Sequence, residues 1–214
     1  MKAIDLSQTL ENGMAVYPGA PEPHFEQIGS VKNGDIYQLI KFTMTTHTGT
    51  HMDCNTHVTA NGYYTDAQDI GFFIGKGLVI DCRKYGKNAE MGMEIFDKVN
   101  LDGVNFVFLY CDWAKLWGSK EFWSDYPFIS RDVAQFLAKH PTVRALGVEY
   151  ASIDPADQAG LDLHKIFLAE EKSVIENLTN LDKLLNKSFT YVGFPLKFKG
   201  GEGSPIRAVA LVDE

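Results

Sequence analysis

Residue types that bind metal ions are concentrated in one short segment of this 214-residue chain, from His47 to His57. Three of the six histidines fall within it, at His47, His51 and His57, and Asp53 lies between the last two. Imidazole nitrogen and carboxylate oxygen are the ligands that Zn²⁺, Mn²⁺ and Fe²⁺ take in proteins. The spacing therefore predicts a divalent metal site, and it requires a fold in which the chain turns sharply here.

The same spacing limits the backbone conformation of the segment. A helix would place His47 and His51 on one face but would rotate Asp53 away, and Gly49 among several threonines favours helix poorly. In an extended chain all the offsets are even, yet a straight strand would separate His47 and Asp53 by ~20 Å. We therefore predict a strand end that runs into a tight loop bent at Gly49.

Composition indicates a folded, water-soluble chain. Hydrophobic residues make up 45% and charged residues 22%, and the net charge is −8. The length suits one domain, which we place at residues 1–214. We expect neither a nucleic-acid nor a membrane partner, because the chain is acidic and no apolar run approaches ~18–20 residues. A cytoplasmic location is expected, since the N-terminus carries no apolar signal core and the three cysteines form no CxxC motif.

Short apolar strands alternate with helices in the middle of the chain, which predicts an α/β fold built on a mixed sheet flanked by helices. The predicted strands cover residues 38–46, 78–81, 106–110, 146–148, 191–194 and 208–212. One helix begins after Ser130, a typical N-cap residue, and ends at His140-Pro141. Further short helices are predicted at 90–96, 161–168 and 180–185.

The other three histidines are weaker candidates for chemistry. His24 stands in a proline-containing loop and His140 at a helix end, so both are interpreted as structural. His164 is followed twelve residues later by Glu176. From the residues alone, this pair is open between metal ligation and a structural role.

The segment His47–His57 resembles the HxGTHxDxPxH signature of the putative cyclase family, which is similar to bacterial kynurenine formamidase and to isatin hydrolase. The resemblance covers most of the chain. Four weaker segments resemble the family in the right order: Asp5–Leu10 followed by Tyr17-Pro18-Gly19, Ser152-Ile153-Asp154, His164 through Leu181, and Gly203–Arg207.

This resemblance implies a single cyclase-like domain with a swivelling β/β/α fold, and a site for one or two divalent ions. Zinc is the first expectation, with manganese and iron as alternatives. The implied roles are one metal on His47, His51 and Asp53, a second on Asp53, His164 and Glu176, acid/base catalysis by His57, and a substrate contact by Tyr17. From the residues alone, His57 could instead be a fourth ligand or could hydrogen-bond to one.

Three positions leave questions open. Asn55 replaces the usual proline of the signature, which relaxes the loop that carries His57. Cys54 stands beside the ligands and could bind a soft metal or be oxidised. Arg207 could pair with a substrate carboxylate or form a surface salt bridge.

The working hypothesis is a metal-dependent hydrolase that cleaves a C–N amide bond of an arylformamide such as N-formylkynurenine. Metal-activated water attacks the carbonyl, and His57 passes a proton to the leaving nitrogen. One alternative is ring-opening hydrolysis of a cyclic amide or imide, as in isatin, or a ring-closing reaction. A different class is a metal-binding ligand sensor without catalysis. The partners implied are a small aromatic or cyclic amide and other copies of the chain, in a dimer or tetramer.

Overall fold

The computed structural model describes residues 1–158 and 160–213, and contains thirteen strands and two α-helices in that part of the chain. The strands are β1 (Lys2–Asp5), β2 (His24–Gly29), β3 (Leu39–Thr43), β4 (His51–Asp53), β5 (Ile74–Asp81), β6 (Glu90–Met91), β7 (Phe106–Tyr110), β8 (Phe128–Ile129), β9 (Ala145–Val148), β10 (Ser173–Glu176), β11 (Phe189–Val192), β12 (Gly203–Pro205) and β13 (Val209–Val212). The helices are α1 (Arg131–Lys139) and α2 (Asp162–Leu168).

Nine strands form one mixed sheet in the order β1-β13-β11-β5-β7-β9-β10-β4-β12. The four central strands, β5, β7, β9 and β10, run parallel, and antiparallel strands complete both sides. Every residue of β7 is buried, as expected for a parallel strand covered on both faces. The mixed sheet predicted from the sequence is therefore confirmed.

Alternate residues of β7 enter two different cores. Val107 and Leu109 face the side where α1 and α2 pack against each other. Phe106 and Phe108 face the other side, with residues of β11 and β13 and with the segment 178–184. Both helices thus lie on one face of the sheet. The other face is covered by side chains of β11 and β13 and by the 3-10 turn Leu181–Leu184.

Strands β2 and β3 form a separate antiparallel ribbon, here called the arm (residues 24–43). All five residues of β3 are exposed, although most are apolar. The arm leads directly into the turn that carries His47.

Most sequence-predicted elements are confirmed, some with different bounds. Helix α1 begins after Ser130, whose side chain accepts a hydrogen bond from the backbone N–H of Val133, and His140 is its C-cap. The prediction of a helix at 90–96 is wrong in part, because Glu90 and Met91 pair with β8 and only Met93–Phe96 forms a 3-10 turn. The helix predicted at 180–185 is a 3-10 turn, and the strand predicted at 38–46 ends at Thr43. Neither described helix has the length and apolar character needed to span a membrane.

Candidate metal centre

The candidate ligands meet where the parallel strands end. Glu176 is the last residue of β10, and it lies opposite His51, the first residue of the antiparallel strand β4. His164 comes from the buried face of α2. The order of elements predicted for the first segment needs correction. His47 lies in a turn that includes Gly49, with φ +63°, and the strand that carries His51 and Asp53 follows this turn.

His47, His51 and Asp53 form the first group of side chains that could hold an ion. His47 Nδ1 lies 2.7 Å from Asp53 Oδ1, and His51 Nε2 lies 3.4 Å from the same oxygen. His51 and Asp53 are buried, whereas His47 is partly exposed. The three residues predicted from their spacing are thus brought together.

Asp53, His164 and Glu176 form the second group, and all three are buried. His164 Nε2 lies 3.2 Å from Glu176 Oε1 and 3.6 Å from Asp53 Oδ2. The other Glu176 oxygen, Oε2, lies 3.4 Å from His51 Nε2. Each carboxylate therefore presents one oxygen to each group, so Asp53 and Glu176 both lie between two potential ion positions.

The second ring nitrogen of each histidine has an oxygen partner. His51 Nδ1 donates to the backbone oxygen of Gly49 at 2.9 Å, and His164 Nδ1 donates to Asp154 Oδ2 at 2.6 Å. His47 Nε2 donates to Glu202 Oε1 at 3.2 Å. Histidines that bind metal ions almost always donate their other N–H in this way, which fixes the tautomer. The other ring nitrogen of each histidine, the one available to a metal, therefore faces the carboxylates.

The donor geometry fits a bound ion better than a closed hydrogen-bond network. Within the described residues, Asp53 Oδ1 and Glu176 Oε1 are buried and accept no hydrogen bond, although ring nitrogens lie near both. Bonds of about 2.0–2.1 Å in a tetrahedral site would place neighbouring ligand atoms roughly 3.3 Å apart. Four of the five nitrogen–oxygen separations are 3.2, 3.4, 3.4 and 3.6 Å. The residues present therefore fit a divalent metal.

The electrostatics of the cluster favour positive charge. Burial lowers the pKa of His47, but the charge of Asp53 outweighs it and raises the pKa to about 9. Burial likewise opposes the upward pKa shift of His51 and of His164, which the carboxylates nevertheless produce. Burial would raise the pKa of Asp53, yet His47 and His51 hold it well below its ordinary value. The field that raises these imidazole pKa values also favours a divalent cation, and binding of that cation requires the neutral rings.

His57 lies beside this cluster without belonging to either group. Its ring is partly exposed, with its centroid 4.2 Å from that of His47 and 6.1 Å from that of His164. Burial lowers its pKa below the ordinary value, so the ring is neutral near pH 7. In the described residues no side chain hydrogen-bonds to this ring. A free neutral imidazole next to the site is suited to moving a proton.

Asn55, which replaces the signature proline, is a firm part of the loop that carries His57. Its side-chain Oδ1 accepts the backbone N–H of Tyr63 at 2.9 Å, and its backbone oxygen accepts from Val58. Thr56 Oγ1 donates to the Tyr63 backbone oxygen at 2.9 Å. The expectation of a relaxed loop is not supported by these contacts, because the amide joins both ends of the turn.

Cys54 belongs to neither group of candidate ligands, and its thiol lies among oxygen atoms. Its Sγ lies 3.1 Å from Thr56 Oγ1, 3.2 Å from the backbone oxygen of Glu202 and 3.3 Å from that of Tyr63. Burial raises the pKa of its thiol. The protonated form is therefore favoured, which disfavours both soft-metal binding and oxidation at Cys54.

The two predicted substrate contacts differ. Tyr17 is half exposed and meets Trp123 edge-to-face, with ring centroids 6.0 Å apart. Burial raises the pKa of Tyr126, and the charges of Glu176 and Tyr17 contribute to the same upward shift. Arg207 instead forms an exposed two-point ion pair with Asp5, at 2.9 and 2.7 Å, and lines a separate cavity of about 410 Å³.

Sequence reasoning missed the residues that orient the histidines. Asp154 lies ten residues before His164, and its only sequence signal is the weak resemblance of Ser152-Ile153-Asp154 to the family. Glu202 stands among glycines, and a lone acid in a glycine-rich loop is a signal that could have been followed. Asn177 donates its amide to the Gly49 oxygen at 2.9 Å and adopts a positive φ of 59°. No sequence pattern pointed to Asn177.

Comparison with known proteins assigns this chain to a family. The sequence profile of the family described as Putative cyclase matches residues 4–155, and the chain belongs to that family. A kynurenine formamidase of Bacillus anthracis is 31% identical over 209 residues, which cover 97% of this chain and 96% of that protein. A kynurenine formamidase of Bacillus thuringiensis subsp. konkukian is 31% identical over 207 residues, covering 96% and 95%. The family predicted from the His47–His57 signature is confirmed.

Solved structures share the fold over the whole chain. Isatin hydrolase A from Labrenzia aggregata, bound to benzyl benzoate, has a TM-score of 0.87 and 25% identity, covering 100% of this chain and 94% of the other. An isatin hydrolase bound to the product analogue thioisatinate has a TM-score of 0.88 and 22% identity, with coverage of 100% and 93%. These likenesses confirm the predicted cyclase-type fold.

Proposed function

We propose that this chain is a metal-dependent hydrolase that cleaves a C–N amide bond other than a peptide bond, and that its substrate is an arylformamide such as N-formylkynurenine. The observation that carries this proposal is the convergence of His47, His51, Asp53, His164 and Glu176, with a free His57 beside them. Support for the substrate comes from the kynurenine formamidases that are 31% identical over nearly the whole chain.

The metal ligands, His57 and the aromatic side chains have separate roles in the proposed reaction. A divalent metal held by the two groups would supply Lewis-acid polarisation of a carbonyl and a lowered pKa for water. His57, whose pKa burial lowers, would take a proton from the attacking water and deliver it to the leaving nitrogen. Tyr17 and Trp123 offer aromatic surface for an aryl ring. We propose zinc as the ion, because the donors are imidazole and carboxylate and their separations suit a tetrahedral site.

Ring-opening hydrolysis of an isatin-like lactam is the second candidate, favoured by the close likeness to isatin hydrolase A. Turnover of N-formylkynurenine and of isatin by the zinc-loaded protein separates the two. Formamide turnover alone supports the first candidate, and turnover of the lactam alone contradicts it.

A pair of substitutions tests the enzyme class itself. We expect His57→Ala to retain the metal and to lose rate by about 10²–10⁴-fold, the usual contribution of general acid–base catalysis. We expect His51→Ala to lose the metal, as measured by elemental analysis. A His57→Ala protein that changes metal content while no amide is turned over by the parent would point to a non-catalytic metal-binding sensor.

We also propose that the chain forms homo-oligomers through the arm. Its large apolar side chains are exposed: Ile28, Val31, Ile36, Tyr37, Leu39, Ile40 and Phe42. Single exposed apolar residues are normal on a monomer, but such a concentration of them in one short ribbon is typical of a protein–protein interaction surface. Sedimentation velocity should show a dimer or tetramer for the parent and a smaller species for Phe42→Glu. A parent protein that is monomeric at micromolar concentration contradicts this.

A further inference from the structure

Glu202 lies against the metal centre through both its backbone and its side chain. Its backbone oxygen accepts the N–H of Cys54 at 3.0 Å, which ties the loop 200–203 to the strand that carries the ligands. Its Oε1 lies 3.2 Å from His47 Nε2 and receives the hydroxyl of Thr46 at 2.5 Å. The loop also fits closely, because a Cβ added at Gly203 would come within 2.8 Å of the His47 ring.

The side chains of His47 and Glu202 are more exposed to solvent than those of the other four candidate ligands. The side chains of His51 and His164 are 4% and 2% exposed, and those of Asp53 and Glu176 are 1% and 7% exposed. His47 is 27% exposed and Glu202 is 35% exposed. Among the five candidate ligands, His47 is therefore the one that water reaches most readily.

We propose that Glu202 is a positioning residue of the metal centre, and that the ion is exchanged with solvent on the side that Glu202 and His47 form. The proposal rests on the metal centre proposed above. Glu202 holds the His47 ring with Nδ1 toward the site, and Thr46 fixes the carboxylate in place. When that support is lost, the most exposed ligand is free to rotate, and the ion leaves from that side.

Release of Zn²⁺ to an excess of a chromogenic chelator tests the proposal directly, and it needs no substrate. We expect Glu202→Ala to weaken zinc affinity about 10–100-fold, the usual effect of removing a group that orients a ligand, and to accelerate release correspondingly. Glu202→Gln keeps an acceptor oxygen and should fall between Glu202→Ala and the parent. Thr46→Val should show a smaller change in the same direction.

Asp66→Asn is the matched control. Asp66 Oδ1 accepts the N–H of Gly200 at 3.1 Å, so this carboxylate stabilises the same loop without touching His47. We expect its zinc affinity and release rate to match those of the parent. Circular dichroism of all variants shows which of them are folded.

Each outcome decides one question. Equal release from the parent and from folded Glu202→Ala overturns this inference while leaving the metal centre intact. Faster release from Asp66→Asn, to the same extent as from Glu202→Ala, also overturns it, because the effect would then belong to the loop as a whole. A parent protein that binds no Zn²⁺ contradicts the proposed function itself.

Discussion

One carboxylate, that of Asp154, holds both the ring and the backbone of His164. Its Oδ2 lies 2.6 Å from His164 Nδ1 and 3.1 Å from the backbone nitrogen of the same residue, and its Oδ1 accepts the N–H of Leu163 at 2.8 Å. The same carboxylate thereby holds the backbone at the start of α2 and the orientation of the His164 ring. Asp154 is itself buried, so these bonds are shielded from water.

We expect Asp154→Asn to weaken zinc binding about 10–100-fold, because an amide can present its NH₂ group to His164 and disturb the tautomer. Competition with a chelator of known affinity measures this. Asp162→Asn is the control, since Asp162 is an exposed acid on the same helix whose partner is Lys165 at 3.7 Å. If both variants bind zinc as the parent does, Asp154 does not orient the ligand.

Gly62 is required by the side chain of Asn55. A Cβ at position 62 would overlap the Asn55 amide, which must accept the N–H of Tyr63. We expect Gly62→Ala to lower the free energy of unfolding by about 1–3 kcal/mol, as overpacking does, and to lower kcat by displacing His57. Chemical denaturation and steady-state kinetics measure the two effects.

Gly86→Ala provides the comparison for that experiment. A Cβ at Gly86 would meet no atom within 4 Å, so the free energy of unfolding should change by less than about 1 kcal/mol. Equal stability of the two alanine variants would show that the loop adapts and that Asn55 does not constrain it.

Glu149 should make the stability depend on pH. Burial raises its pKa to about 7, although the backbone N–H groups of Trp113 and Cys111 oppose the shift. The folded pKa exceeds the unfolded value, so the folded state binds the proton more tightly. Stability from this group is complete below about pH 4.5 and declines as the pH rises toward 7, by on the order of 3 kcal/mol.

Glu149→Gln removes that titration and keeps an oxygen for the same N–H groups. We expect the difference in free energy of unfolding between variant and parent to be small at pH 4.5, to grow in favour of the variant up to pH 7, and to stay constant above. Urea denaturation across this range measures the difference. A difference that is independent of pH contradicts the assignment to Glu149.

Tyr17 is expected to contribute to binding more than to the chemical step. Removing its edge-to-face contact with Trp123 in Tyr17→Ala should raise KM for an aryl substrate up to about tenfold, the scale of one aromatic pair, with a smaller change in kcat. Phe136→Ala on α1, which removes a partly exposed aromatic ring on a different element, should leave KM unchanged. An unaltered KM in Tyr17→Ala would remove Tyr17 from the substrate site.

The sequence predicted the part of the site that is local in the chain. His47, His51 and Asp53 are close in sequence, and the need to bend at Gly49 followed from strand geometry. The prediction of His164 and Glu176 as ligands depended on the family resemblance. Glu176 meets the first group only because β10 pairs with β4, and the paired residues Glu176 and His51 are 125 positions apart in the chain. No periodic pattern encodes such a pairing, and the orienting residue Glu202 is farther still along the chain, 155 positions from His47.

The fold was predictable where apolar runs are long enough to be buried on both faces. The apolar run Phe106–Tyr110 predicted β7 with its correct bounds, and Ser130 predicted where α1 begins. The helix predicted at residues 90–96 was wrong for Glu90 and Met91. These two residues pair with β8, and this tertiary pairing outweighs their local preference for helix. The arm strand β2 was missed, since its sequence has no clear alternation and its only strand partner in the described chain is β3.

The position of β1 sets the order in which the molecule can be assembled during synthesis. Residues 2–5 leave the ribosome well before their strand partner in the sheet, β13, residues 209–212. Strand β4 waits in the same way for β10 and β12, which follow it by more than 100 residues. A nascent chain must therefore carry β1 unpaired until β13 has emerged, and hold His47, His51 and Asp53 without their partners until β10 has followed them.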